Sequence, residues 1–348
     1  MANSKTTNLD LNYGYEDTDR TTVWLDGLDD NFQILDTALG TVFKAISDAG
    51  ITLSRNVELH DEWSTGSYLL STTFQTGFVG SPAITNGNYI YIFVGNETSD
   101  GYIYKFDVLR YTLSRLETTL PSGFTNFLAE IHQGIVYLFA GKENGTASNV
   151  IYTYNLGTNH LQEYEETLPY ALTSSCSCLI DDDIYLFGGI DDANNVLDSI
   201  IKIDLINATI STLSLTLSQP VYNASAQYIN NYVYLFGGEN STPLNTIYKI
   251  DLDNNIISLL STTMLEGLTL HRTCILGNYI YLFGGLSSNG LTDKIYKFNY
   301  SDDALILLNF TLPIVLDNFA VSDTSDYIYI FGGTTSTGNS PRIIRFVP

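Results

Sequence analysis

From about residue 60 onward, short runs of aromatic and aliphatic residues alternate with polar, glycine-rich breaks. Six of the runs close on a phenylalanine: Phe93 (YIYIFVG), Phe139 (IVYLFAG), Phe187 (DIYLFGG), Phe236 (YVYLFGG), Phe283 (YIYLFGG) and Phe331 (YIYIFGG). Their intervals are 46, 48, 49, 47 and 48 residues. A period of this size with strand-like content predicts propeller blades, because helical repeats would show a 3.6-residue periodicity instead. A second run follows in every unit: IYKFD at 103–107, IYTYN at 151–155, IIKID at 200–204, IYKID at 247–251, IYKFN at 295–299 and IIRF at 343–346. An outer run recurs as LSRLETTLP (113–121), LQEYEETLP (161–169) and LILLNFTLP (305–313), and a small-residue run such as SSCSCLI (174–180) precedes each aromatic one. Four strands per unit are therefore expected.

The sixth unit reaches Pro348 directly after its third run, so its outermost strand has to come from elsewhere. The run at 68–74 (YLLSTTF) has the pattern of 113–120 and is expected to pair with 341–347. Such pairing would close a ring and remove the free edge of an open sheet. The expected fold is all-β: a six-bladed propeller of four-stranded blades over residues 60–348, closed by an N-terminal strand. Glycine pairs at 188–189, 237–238, 284–285 and 332–333 suit close approach of neighbouring blades, since glycine has no Cβ and tolerates positive φ. On these repeats the chain resembles the kelch family of β-propellers. It departs from that pattern at Val94-Gly95 and Ala140-Gly141, and in lacking the family's downstream tryptophan, the only tryptophans being Trp24 and Trp63.

Ahead of the repeats the pattern changes. Leu25, Leu28, Phe32, Leu35, Leu39, Val42 and Ile46 follow one another at steps of 3, 4, 3, 4, 3 and 4, the seam of a self-associating helix. Asp26, Asp29 and Asp30 suit the positive end of that helix, and Gly50 suits its stop. A stripe of this kind can also pack on its own propeller. Its strict heptad favours instead a coiled-coil stem over 25–50, of two or, preferably, three chains. Residues 1–24 read as an extended docking arm and 51–59 as a linker.

Charge and composition narrow the partners. Lys and Arg number 15 against 38 Asp and Glu, for a net charge of −23. Cations this few and scattered cannot neutralise a run of phosphates, so nucleic acid and anionic membrane are poor partners. No run approaches the roughly 18 apolar residues of a membrane span, and the polar N-terminus has no secretory h-region. An odd set of cysteines (Cys176, Cys178, Cys274) with no CxxC spacing argues against a disulfide scaffold.

Candidate chemistry is sparse, and neither a catalytic set, a cofactor site nor a metal site is expected. The histidines are His60, His132, His160 and His271, too dispersed for a clustered metal set. Arg272 stands just before an inner strand and could point into the channel, although a structural role is the simpler expectation. The acidic runs 181–183 and 191–192 suit solvated turns better than an ion cage. Cys178 and Cys274 share one repeat position and suit a crowded inner strand as small apolar residues. No nucleophile with a neighbouring base can be assembled.

The loops after the glycine positions (96–101, 142–149, 190–198, 239–245, 286–293 and 334–341) fall on the face that also carries the connections between blades. Those connections bring Phe78, Phe124, Phe127, Tyr170, Tyr222 and Phe319, a possible ligand face for sugar or polar protein.

The polar arm together with the passage from Trp24 to Gly40 (WLDGLDDNFQILDTALG) resembles the start of many bacteriophage fibre proteins. Joined to a propeller, it is most similar to the trimeric head fibres of small short-tailed phages of Gram-positive hosts. That resemblance implies a non-enzymatic homotrimer on the virion surface. Its arm would bind the capsid protein and its propellers a host cell-surface glycan or protein. A tail receptor-binding protein of the same architecture is the alternative, and a glycan-active propeller enzyme a further one.

Overall fold

The computed structural model describes residues 65–348, and every regular element among them is a β-strand. The arm (1–24), the heptad stripe from Leu25 to Ile46 and the linker (51–59) lie outside the described residues.

Six four-stranded antiparallel sheets account for the long strands. From the innermost strand outward, the first holds Ala83–Asn86, Tyr89–Val94, Gly101–Asp107 and Thr112–Leu120. The second holds Leu128–His132, Ile135–Phe139, Tyr152–Asn155 and His160–Glu163. The third holds Cys176–Ile180, Asp183–Phe187, Ser199–Asp204 and Thr209–Thr216. The fourth is Ser225–Ile229, Tyr232–Phe236, Ile247–Asp251 and Ile256–Leu259, and the fifth Arg272–Leu276, Tyr279–Phe283, Ile295–Asn299 and Ala304–Leu307. The sixth joins Ala320–Asp323, Ile328–Phe331 and Arg342–Val347 to Gly66–Thr73, with Gly66 opposite Val347 and Leu69 opposite Ile344. Such blade-like sheets fit a β-propeller.

The strands form where the pattern dictates. The second strands are largely buried, Ile328–Phe331 on both faces, so they read as apolar runs. The outer strand is half solvated and alternates, as in Thr209–Thr216. Two outer strands are shorter than their sequence suggests: His160–Glu163 and Ala304–Leu307 stop early. Beyond them the chain bonds the preceding strand only at intervals, through Tyr164 N–H to the Ile151 carbonyl and Leu308 N–H to the Ile295 carbonyl.

The apolar core is divided into wedges, one between each pair of successive sheets. Phe236, Phe298 and Met264 fill the fourth wedge, with the rings of Phe236 and Phe298 edge-on at 5.3 Å. Phe74, Phe78, Phe106, Tyr329 and Phe331 fill a wedge between the sixth sheet and the first. Edge-to-face rings pack wedges densely, each pair adding about 0.5–1.5 kcal/mol beyond its area.

Two repeated devices set the geometry. At the end of the third strand an Asp or Asn folds back onto the turn. Asp107 accepts from the Leu109 and Arg110 amides, Asp204 from Ile206 and Asn207, and Asn155 from Gly157 and Thr158. At the end of the second strand, the second glycine of each pair donates its N–H to the next sheet's connection. Gly189 reaches Val221, Gly238 reaches Leu268, Gly285 reaches Leu316, and Gly333 reaches Phe78 in the connection to the first sheet. At Gly188 (φ 59°) a Cβ would stand 2.2 Å from the Val221 carbonyl oxygen, so the close approach itself demands glycine. The innermost strands neighbour one another in sequence order, and that of the sixth sheet also neighbours that of the first.

Candidate ligand-binding site

Each innermost strand is preceded by a residue in the left-handed conformation: Gly80 (φ 59°), Asn126 (51°), Ser174 (59°), Asn223 (53°), Leu270 (55°) and Asn318 (49°). All six stand thirteen residues before the phenylalanine of their own repeat. The left-handed turn swings the chain from the peripheral connection into the central strand. It also brings these backbones into hydrogen-bonding range. The Gly80 amide donates to Asn318, Asn318 to Leu270, Leu270 to Asn223 and Asn223 to Ser174, at 2.7–3.2 Å. Four sheet junctions are thus fastened at the start of the innermost strands.

Inside this collar lies a cavity of about 210 Å³, bordered by Asn126, Ser174, Ser175, Asn223, Asn318 and Arg272 together with Gly80, Phe127, Leu128, Ala224 and Leu270. Arg272 is its cation. Opposite the repeated phenylalanine, the equivalents of Arg272 are Pro82, Leu128, Cys176, Ser225 and Ala320, so of the six sheets the fifth alone brings a long charged side chain there. The guanidinium donates to the His271 carbonyl at 3.2 Å and to Asn318 Oδ1 at 3.1 Å. A guanidinium has five N–H donors in a fixed fork, so donors remain for a ligand. Burial lowers the Arg272 pKa while Asp317 opposes that shift, and an arginine stays cationic across the physiological range.

The neighbouring titratable groups serve the fold. His271 is fully buried against Gly237 and Gly285; burial, reinforced by the Arg272 charge, pushes it down to about 3 and keeps it neutral. Burial pushes the Cys176 thiol up to about 12 and holds Cys178 and Cys274 well above the ordinary thiol range. None of the three is an activated nucleophile. Asp183 pairs with Lys202 at 2.7 Å, and Asp182 lies 3.2 Å from His132. Asp191 accepts from the Ala193 and Asn195 amides and the Asn195 carboxamide.

The aromatic face needs correction. Phe78, Phe124, Phe127 and Phe319 are buried, the last three at 0–3% exposure. Phe124 stacks on Phe127 at 4.4 Å, and Phe78 meets Phe74 edge-on at 4.7 Å. The connections carrying these rings fold beneath the following sheet, so the rings fill the wedges and present no ligand surface. Tyr170 and Tyr222 stay partly exposed, with the Tyr170 hydroxyl 2.5 Å from Ser199 Oγ. The collar leaves little trace in the sequence. Its signal is the thirteen-residue offset, occupied by Gly, Asn, Ser, Asn, Leu and Asn.

Residues 174–345 match the model of the KLHDC2/KLHL20/DRC7 Kelch-repeats domain. The repeat is of the kelch type. That match spans the third to sixth sheets, the part of this kelch-type propeller in which every second strand ends in a glycine pair. The first two sheets, with Val94-Gly95 and Ala140-Gly141, fall outside it. No curated protein matches the chain.

Proposed function

We propose that this chain is a non-enzymatic recognition protein of a bacteriophage particle, a trimeric fibre carrying six-bladed, ring-closed kelch propellers. Residues 25–50 form the stem, residues 1–24 attach it to the capsid, and the propellers meet a host-surface glycan or protein. The closed ring is supported by the pairing of Gly66–Thr73 with Arg342–Val347 and by the bond from Gly333 to Phe78. The stem is supported by the unbroken heptad from Leu25 to Ile46.

The observation that carries the recognition role is the polar cavity at the start of the inner strands. Its hydrogen-bonded collar keeps it preformed, and Arg272 together with the Asn126, Asn223 and Asn318 carboxamides suits a ligand rich in hydrogen-bond acceptors. A preformed polar site of this size is weak alone and gains from presentation in several copies.

The test is retention of full-length protein on immobilised cell envelopes from Gram-positive bacteria, beside Arg272→Met. Retention of the wild type, lost in the variant and lost after glycosidase or protease treatment of the envelope, supports the reading and identifies the ligand class. Release of reducing sugar from the envelope by the wild type would overturn the non-enzymatic part.

A further inference from the structure

Two residues beyond the Arg272 level, the inner strands carry a second set of unrepeated side chains, and one of them is a carboxyl at a junction between sheets. Glu130, in Leu128–His132, accepts a hydrogen bond of 2.7 Å from Ser177 Oγ, in Cys176–Ile180 of the next sheet. Other junctions are joined at comparable depth by neutral pairs. Ser225 Oγ meets Thr273 Oγ1 at 2.6 Å, Gln227 donates to the Thr273 carbonyl at 2.9 Å, and Thr85 Oγ1 meets Ser322 Oγ at 2.7 Å.

The surroundings of Glu130 offer its charge little. The strand Ile135–Phe139 places Tyr137 opposite it in register. The strand Cys176–Ile180 brings the thiols of Cys176 and Cys178, both held protonated by burial. The strand Ala83–Asn86 brings no titratable group. On its own strand, His132 is engaged with Asp182. The Ser177 hydroxyl is the one group that favours the anion, and burial outweighs it, pushing the carboxyl up to about 7.

We propose that Glu130 makes the junction between the second and third sheets a pH-sensitive seam, tight while the carboxyl is neutral and loosened when it ionises. The same two strands border the cavity: Leu128 lies two residues before Glu130, and Ser175 two before Ser177. Loosening the seam therefore reaches the cavity wall. The sign follows from linkage. A carboxyl whose pKa is higher in the folded chain stabilises the fold fully below the unfolded value near 4.3, and that stabilisation is lost as pH rises toward 7.

The experiment uses the full chain and two readouts. Amide hydrogen exchange, corrected for intrinsic rates, is followed at pH 6 and pH 8 in the wild type and in Glu130→Gln, which keeps shape and hydrogen bonding without the charge. The expected result is severalfold faster exchange at pH 8 over residues 126–132 and 174–180 in the wild type, with no change in the variant. Equal pH responses in the two proteins would overturn the seam. Should the variant fail to fold, carboxyl-¹³C glutamate labelling of the wild type decides: one glutamate resonance titrating near neutrality supports the seam, and none titrating above about pH 5.5 contradicts it. Neither readout depends on the proposed ligand or on trimerisation, so the seam and the recognition reading fail separately.

Discussion

At the collar, the six inner strands begin at equivalent left-handed residues, four of their junctions fastened by backbone hydrogen bonds, and the side chain brought inward is the Arg272 cation. Two residues beyond the Arg272 level, the positions opposite the repeated tyrosine carry Ile84, Glu130, Cys178, Gln227, Cys274 and Ser322, with Glu130 as their carboxyl. Both levels rest on one repeated backbone. Their chemistry differs because the repeat fixes the large side chains that fill the wedges and leaves these inner-strand positions free to vary. Function in this molecule is therefore sought among residues that break the repeat, and stability among those that keep it.

Substitutions can break or sharpen that contrast, and the largest effect belongs to a residue that keeps the repeat. Phe236→Ala removes a fully buried ring from its wedge and is expected to cost about 3–5 kcal/mol, read from the shift of a denaturant midpoint. Gly188→Ala comes next. The left-handed backbone alone costs about 1–2 kcal/mol for a residue with a Cβ, and the Val221 carbonyl adds to it. The tolerated case is Ala140, which holds φ 52° at the corresponding position of the second sheet.

Arg272→Met should behave in the opposite way. Its guanidinium makes two hydrogen bonds, to the His271 carbonyl and Asn318 Oδ1, whose loss is expected to cost about 1–2 kcal/mol of stability, while retention on envelopes disappears. A large destabilisation with retention intact would make Arg272 a structural residue. The smallest effect is at Asp107. Burial alone would raise its carboxyl, but the Arg110 side chain and the Leu109 and Arg110 amides outweigh burial and hold it below its usual value. Its stabilisation is present above the unfolded value near 3.9 and is lost as pH falls. Asp107→Asn should therefore lower the melting temperature slightly at neutral pH and leave it nearly unchanged in acid, which flattens the acid limb of the profile.

Much of the fold was legible because the wedges demand the same residue types six times. The phenylalanine spacing located all six second strands, and the runs that follow located the third strands. The likeness of 68–74 to 113–120 pointed to the strand that lies against Arg342–Val347. The candidate site was less legible. Arg272 reads as a residue that could enter the channel, but the collar is backbone geometry, and Gly, Asn, Ser and Leu share no chemistry beyond tolerating it at that turn. The aromatic connections misled for a related reason. A loop is usually solvated, yet Phe124 and Phe319 cap wedges from above, and nothing in their spacing distinguishes a ring folded inward from one held outward.

The most direct test of the fibre reading is the solution mass of the full chain by light scattering, beside Leu35→Asp. A single species at three times the 38.6 kDa chain mass, falling to one chain mass in the variant, is the expected result. A wild type that runs at one chain mass at all concentrations would contradict the trimeric stem and leave a solitary kelch-type propeller in its place.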